Sequence, residues 1–227
     1  MTQLLISVTS IEEAKIAIEN GADIIDLKDP NQGALGALSI VQINSIVTYV
    51  NAQDIAKVRT SATIGDLPMQ ADLISRHVAE LSKTKVDFIK IGFFETNDYQ
   101  PCLDALQASI KAGIKLIAVL FAESTYPANL IEAIKQAGFI GVMLDTFNKN
   151  GLTFLDFYSE KKRKELAKVI VNSGLSFGLA GSLKLQHLAL VKEVNPTYIG
   201  FRGGVCDENK RRLSLNAEKI KAIRKTL

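Results

Sequence analysis

Apolar and polar positions along the chain fall into two alternating periods. Short, nearly continuous apolar runs have the pattern of strands covered on both faces. Each is followed by a longer segment whose apolar residues recur every three or four positions, the period of an amphipathic helix. The runs predict strands over 4–8, 24–28, 58–63, 88–92, 115–121, 141–145, 176–180 and 198–202. The segments between them predict helices over 11–19, 40–50, 71–83, 99–112, 127–137, 160–173, 184–193 and 216–225. Several stop at a glycine, as in Asn20-Gly21, Ala112-Gly113, Ala137-Gly138 and Ser173-Gly174, a residue that closes a last helical turn without steric cost.

Strands alternating with helices build either a closed (β/α)8 TIM barrel or an open, doubly wound sheet. Eight complete units favour the barrel, as does the lack of a Gly-x-Gly-x-x-Gly after the first strand or of a Walker-type loop. No linker, low-complexity tract or charge shift divides the sequence, so residues 1–227 read as a single α/β barrel domain. The longest connections, 29–39 and 148–158, fall on the C-terminal face, where barrel enzymes place their active sites.

Composition narrows the function classes. With 27 Lys+Arg against 24 Asp+Glu, a net charge of +3 and 47% hydrophobic residues, the chain is neither disordered nor an acidic-tail protein. Its two cysteines, Cys102 and Cys206, are too far apart for a CxxC site and too few for a disulfide framework, which favours a reducing compartment. The first residues have no basic region, and charges interrupt every apolar run well short of the roughly 18 residues of a membrane span. A cytoplasmic location is expected. The run Lys161-Lys162-Arg163-Lys164 is flanked by Glu160 and Glu165 and reads as a solvated helix face. No nucleic-acid or membrane partner is expected. His77 and His187 read as surface residues, and no His/Cys/Asp cluster has metal-ligand spacing, so no metal is expected.

Candidate chemistry lies in the polar residues that interrupt the strand runs. In Ile24-Ile25-Asp26-Leu27-Lys28-Asp29, alternation puts Asp26 and Lys28 on one side of the strand. Lys90 interrupts Phe88-Ile89-Lys90-Ile91-Gly92, Asp145 closes another run, and Lys149 follows in the adjoining loop. A buried ammonium is costly unless paired, so the strand lysines call for carboxylates such as Asp26 and Asp145. A desolvated lysine beside a second cation has a lowered pKa and can attack a carbonyl to form a Schiff base. Ser61, Thr63 and Asp66, along and beyond the third strand, are candidates for binding substrate or phosphate. So are Gly181 and Ser182 after the seventh strand, and Arg202, Gly203 and Gly204 after the eighth. Glycines there let backbone N–H groups approach an oxyanion, and Arg202 could add a charged fork. Gly33 and Gly36 form a further candidate anion nest.

Taken in order, Asp26-Leu27-Lys28-Asp29-Pro30, Gly33-Ala34-Leu35-Gly36-Ala37, Ser61-Ala62-Thr63-Ile64-Gly65-Asp66, Ile89-Lys90-Ile91-Gly92, Met143-Leu144-Asp145-Thr146, Leu179-Ala180-Gly181-Ser182 and Arg202-Gly203-Gly204 resemble the (5-formylfuran-3-yl)methyl phosphate synthase family of methanofuran biosynthesis. The resemblance spans nearly the whole chain. It implies a TIM barrel that condenses two molecules of glyceraldehyde 3-phosphate, with loss of phosphate and water, into a phosphorylated furan aldehyde, with no metal or organic cofactor. It further implies that Lys28 is the Schiff-base lysine and Lys90 the proton acceptor, with Asp26, Asp145 and Lys149 in the same pocket. The sequence departs from the family pattern at Ala118-Val119-Leu120-Phe121-Ala122-Glu123 and after Cys206, where Asp207-Glu208-Asn209-Lys210-Arg211-Arg212 replaces a glycine-rich tail. On residues alone, a phosphosugar decarboxylase, a class I aldolase and a scaffold that only binds a phosphometabolite stay open. The partner expected is a small phosphorylated triose, and the apolar helix surface suits a homo-oligomer.

Overall fold

The computed structural model describes residues 1–53 and 58–227. Eight parallel strands close into a barrel in chain order: β1 (Gln3–Val8), β2 (Ile24–Leu27), β3 (Arg59–Thr63), β4 (Phe88–Gly92), β5 (Leu116–Phe121), β6 (Gly141–Asp145), β7 (Ser176–Leu179) and β8 (Tyr198–Phe201). Closure is made by β8 on β1, with Gln3 opposite Tyr198 and Ile6 opposite Phe201. Around the barrel run α1 (Ile11–Glu19), α2 (Ile40–Asn51), α3 (Ala71–Ser82), α4 (Gln100–Lys111), α5 (Leu130–Ala137), α6 (Phe154–Phe157), α7 (Glu160–Asn172), α8 (Leu188–Lys192) and α9 (Ala217–Thr226). The eight strands anticipated from the apolar runs all form within a residue or so of the expected ends. Among the described residues no helix is long and apolar enough to cross a membrane.

Alternation along each strand sorts side chains into two compartments. Leu4, Ile6, Val8, Ile25, Leu27, Ile89 and Ile91 face outward and meet the inner faces of the helices. Leu5, Ile24, Phe88, Ile117, Val119 and Tyr198 fill the barrel interior. Full burial of each such aliphatic or aromatic side chain contributes about 1.5–3 kcal/mol. The outward cluster between strands and helices is the larger of the two, so the interior can carry polar groups at modest cost to the core.

Local chemistry sets the helix ends. Ser39 and Gln42 close a capping box at the start of α2, and α5 ends on Gly138 at φ +99°. Three elements differ from the periodicity. Helix α5 begins at Leu130 rather than 127, because the chain first makes a turn in which the Leu130 N–H bonds the Pro127 carbonyl. The expected helix over 184–193 divides into a 3-10 turn at Leu185–His187 and the short α8, with the His187 ring accepting the Lys184 N–H. The loop after β6 contains the unexpected α6, nucleated by a Thr153/Asp156 capping box and anchored by buried Phe154.

Candidate active site

The charged exceptions to an apolar barrel interior come from β2 and the residue after it, β4 and β6, with the polar Ser7 of β1 and Ser61 of β3 beside them. Asp26, Lys28, Lys90 and Asp145 are each at most 8% exposed. Lys90 Nζ lies 2.6 Å from Asp26 Oδ1. Asp26 also accepts hydrogen bonds from the Ser7 hydroxyl at 2.8 Å and the Ser61 hydroxyl at 2.6 Å. Lys28 Nζ reaches the other carboxylate, 3.6 Å from Asp145 Oδ2, while Lys149 Nζ lies 2.7 Å from Asp145 Oδ1. The two lysines thus take different partners, although Asp26 and Lys28 share a strand face. Asp145 further accepts the Thr146 N–H, and Lys149 is also bound to the Thr146 carbonyl.

Electrostatics single out Lys28. Burial lowers the pKa of Lys28 to about 8, with Lys149 and Lys90 acting in the same direction and Asp145 opposing them. About a tenth of Lys28 is therefore neutral at pH 7. Burial by itself would raise the Asp145 carboxyl, but Lys149 and Lys28 hold it well below the usual carboxylate range. Asp26 is likewise held low against its own desolvation by Lys90 and Lys28. One amine that is easily discharged thus faces two carboxylates that stay charged.

These groups line a cavity of about 570 Å³ at the C-terminal face. The β7 loop at Gly181 and Ser182 and the β8 loop at Arg202, Gly203 and Gly204 line it as well. Both loops need their glycines. A Cβ on Gly181, at φ +93°, would fall 2.8 Å from the Thr146 backbone nitrogen, and one on Gly204 would fall 2.1 Å from the Leu183 carbonyl oxygen. Among the described residues, the backbone N–H groups of Gly181, Ser182, Gly203 and Gly204 donate no hydrogen bond. They remain as donors beside the cavity.

Arg202 does not serve as the charged fork expected of it. Its Nη1 and Nη2 bind the two Glu13 oxygens at 2.5 and 3.0 Å. The remaining donors go to the carbonyls of Ser7, Arg211 and Leu213. All five N–H groups of the guanidinium are thereby used, so Arg202 is a brace between β8, α1 and the β8 loop. Because the pair is nearly buried, with side chains 10% and 13% exposed, Arg202→Ala should cost about 3 kcal/mol of stability, as removal of one partner from a buried ion pair does. Urea unfolding checks this; an unchanged midpoint with only a raised KM would return Arg202 to substrate binding.

Thr63 and Asp66 also do other work. Neither borders the cavity. Asp66 accepts the N–H groups of Ala34 and Leu35, each at 2.7 Å, and Thr63 donates to the Leu35 carbonyl. The Gly33/Gly36 loop is thus an anion nest whose anion is the protein's own Asp66; a Cβ at Gly33 would lie 2.0 Å from that carboxylate. Ser61 acts one step removed from the cavity, through Asp26.

The sequence reading missed Ser7, which donates to Asp26, and two contributors that lie where the chain departs from the family pattern. Glu123 accepts the N–H groups of Phe147 and Asn148, each at 2.9 Å, and so holds the loop that carries Lys149. Arg211 borders the cavity from the β8 loop, tethered at 3.1 Å to the Gly33 carbonyl. That loop is folded back by an antiparallel bridge between Cys206 and Leu215. The only available signal was the basic run Lys210-Arg211-Arg212 following a presumed phosphate loop.

Residues 4–224 match the family described as 4-HFC-P synthase. The chain belongs to that family. The (5-formylfuran-3-yl)methyl phosphate synthase of Methanocaldococcus jannaschii is 32% identical over 224 residues, covering 92% of this chain and 94% of the relative. That of Methanococcus aeolicus is 31% identical over 219 residues, covering 92% of each. A Methylorubrum extorquens protein that bears the same name provisionally is 35% identical, covering 96% of this chain and 88% of the relative. Among solved structures, 3-hexulose-6-phosphate synthase from Salmonella typhimurium superposes with a TM-score of 0.68 at 14% identity, over 100% of this chain and 98% of that one. Phosphoribosyl anthranilate isomerase from Thermus thermophilus gives 0.66 at 17%, over 98% and 96%. At such identities the likeness is one of fold. As a member of the 4-HFC-P synthase family, the chain is an enzyme built on a TIM barrel.

Proposed function

We propose that this protein is a Schiff-base lyase that condenses two molecules of glyceraldehyde 3-phosphate into (5-formylfuran-3-yl)methyl phosphate, with loss of phosphate and water, for a methanofuran-type C1 carrier. The observation that carries this reading is a pair of buried lysines lining one cavity: a desolvated Lys28 with a pKa near 8, and Lys90 bound to Asp26. Neutral Lys28 attacks the aldehyde of the first triose, and loss of water leaves a protonated imine. The imine draws electrons from the adjacent C–H bond, whose proton passes to Lys90, and the enamine so formed attacks the aldehyde of the second triose. Asp145 and Lys149, hydrogen-bonded to each other at the imine, serve the later dehydration and ring closure. The charged Asp145 also offsets the positive imine.

Two phosphorylated substrates need two anion sites. The unpaired N–H groups of Gly181, Ser182, Gly203 and Gly204 supply one. Arg211, on the same side of the cavity, supplies a guanidinium for the other. The test is incubation with glyceraldehyde 3-phosphate followed by ultraviolet and mass detection. Accumulation of a furan aldehyde phosphate together with free phosphate is expected. An acyclic aldol product, or release of carbon dioxide from a phosphosugar acid, would overturn the reading.

A further inference from the structure

Lys90 borders a second cavity that the chemistry above leaves unused. This one has a volume of about 150 Å³ and lies at the opposite end of the barrel, where the strand-start residues Gln3, Arg59 and Ser176 line it. Leu5 and Lys90 are the residues that line both cavities, and of the two only Lys90 is polar. The Lys90 side chain is 2% exposed and its Nζ lies against Asp26, so it is nearly shut off from bulk water. A general base in that position has a difficulty: it must lose a proton before each carbon acid can be deprotonated, and substrates above it block the route through the active-site mouth.

Besides Lys90, two buried polar side chains line the lower cavity: Ser61, whose hydroxyl is committed to Asp26, and Tyr198. Tyr198 is 3% exposed, and its hydroxyl has no hydrogen-bond partner among the described residues. The ring is held in place by a gap in β7: a Cβ on Gly178 would fall 2.2 Å from Tyr198 Cε2. Leaving a buried hydroxyl unpaired is costly, and a cavity of this size, with Gln3, Arg59, Ser176 and Thr197 in its lining, has room for several waters.

We propose that the lower cavity is a water-filled proton path between Lys90 and the N-terminal face of the barrel, with the Tyr198 hydroxyl as its relay. In one transfer, the Lys90 ammonium gives a proton to a neighbouring water, which gives one of its own to the Tyr198 oxygen. The original Tyr198 proton passes outward to the next water. No electron is exchanged, tyrosine ends neutral, and Lys90 is left as an amine with a free electron pair. The proton it then takes from the carbon beside the imine either returns to a departing hydroxyl or leaves by the same path. Burial and the nearby Asp26 raise the Tyr198 pKa, so the phenol stays protonated near neutrality and can donate and accept together.

This assignment rests on the reading of Lys90 as the base, but its test does not need turnover. Hydrogen exchange at the Lys90 ammonium can be followed by NMR in protein labelled with 15N-lysine, without substrate, and the resonance is assigned by its loss in Lys90→Gln. Exchange at Lys90 should slow at least about fivefold in Tyr198→Phe, the factor expected for one lost hydrogen-bonded link, while exchange at Lys28 is unchanged. Gln3→Leu, which places an apolar side chain in the lower cavity well away from the catalytic groups, should slow Lys90 in the same way. With triose phosphate present, Tyr198→Phe should lower kcat with KM unchanged and enlarge the solvent deuterium isotope effect. Unchanged Lys90 exchange in both variants would overturn the path, as would equal slowing at Lys28. Borohydride trapping of Lys28 decides the imine reading separately, so either idea can fail while the other survives.

Discussion

Lys28→Ala abolishes turnover, with a loss on the order of 10⁴-fold or more, the scale seen when a covalent nucleophile is deleted. Borohydride in the presence of glyceraldehyde 3-phosphate should then add no mass to the protein, whereas in the wild type the added mass should map to the peptide carrying Lys28. Lys28→Arg should be equally inactive, because a guanidinium keeps the charge but never becomes a neutral nucleophile. The pH dependence follows in sign from the lowered pKa. The attacking form is the free amine, so the initial trapping rate should climb about tenfold from pH 6 to pH 7 and level off above about 8, rather than near the ordinary lysine value of about 10.4. An adduct on Lys90 or Lys149, or a trapping rate that still rises steeply above pH 9, would remove Lys28 from this role.

Lys90→Ala and Lys90→Gln should both lower turnover at least about a hundredfold, the lower range for a missing general base, yet keep Lys28 trappable. Lys90→Ala also leaves Asp26 as a buried carboxylate without its cation, and removing one partner of such a pair costs about 3–5 kcal/mol. Lys90→Gln is the cleaner variant, since an amide can still donate to Asp26 but accepts no proton. Retained trapping in that variant shows a folded site. Near-normal turnover there would make Lys90 a structural charge and shift the role of base to Lys149 or Asp145.

Much of this architecture is readable along the chain because it depends on local periodicity. Apolar runs of strand length, repeated eight times with amphipathic segments between them, leave few ways to bury every apolar face other than a closed barrel. The same alternation put Asp26 and Lys28 on the interior face of β2 and exposed Lys90 as an anomaly within β4. The strand side chains that line the cavity follow from strand geometry, which is set by neighbours in sequence.

Pairing is not set that way. The sequence offered Asp26 and Asp145 as carboxylates for the two strand lysines without saying which meets which; the barrel gives Asp26 to Lys90 on β4 and turns Lys28 to Asp145 on β6. Arg202 appeared as a phosphate ligand because its glycine neighbours suit one, yet Glu13, which takes its guanidinium, is 189 residues away in sequence. Asp66 appeared as a substrate ligand, yet the backbone N–H groups of Ala34 and Leu35 take up its carboxylate. Arg211 reaches the cavity only because the β8 loop folds back on itself through Cys206 and Leu215. By itself, then, the sequence determined the barrel and which strand residues face its interior, because periodicity is a property of adjacent residues. Only the tertiary structure decided which charge meets which, because a charged side chain settles on the partner that best repays its desolvation, and closure of the barrel determines which partners lie within reach.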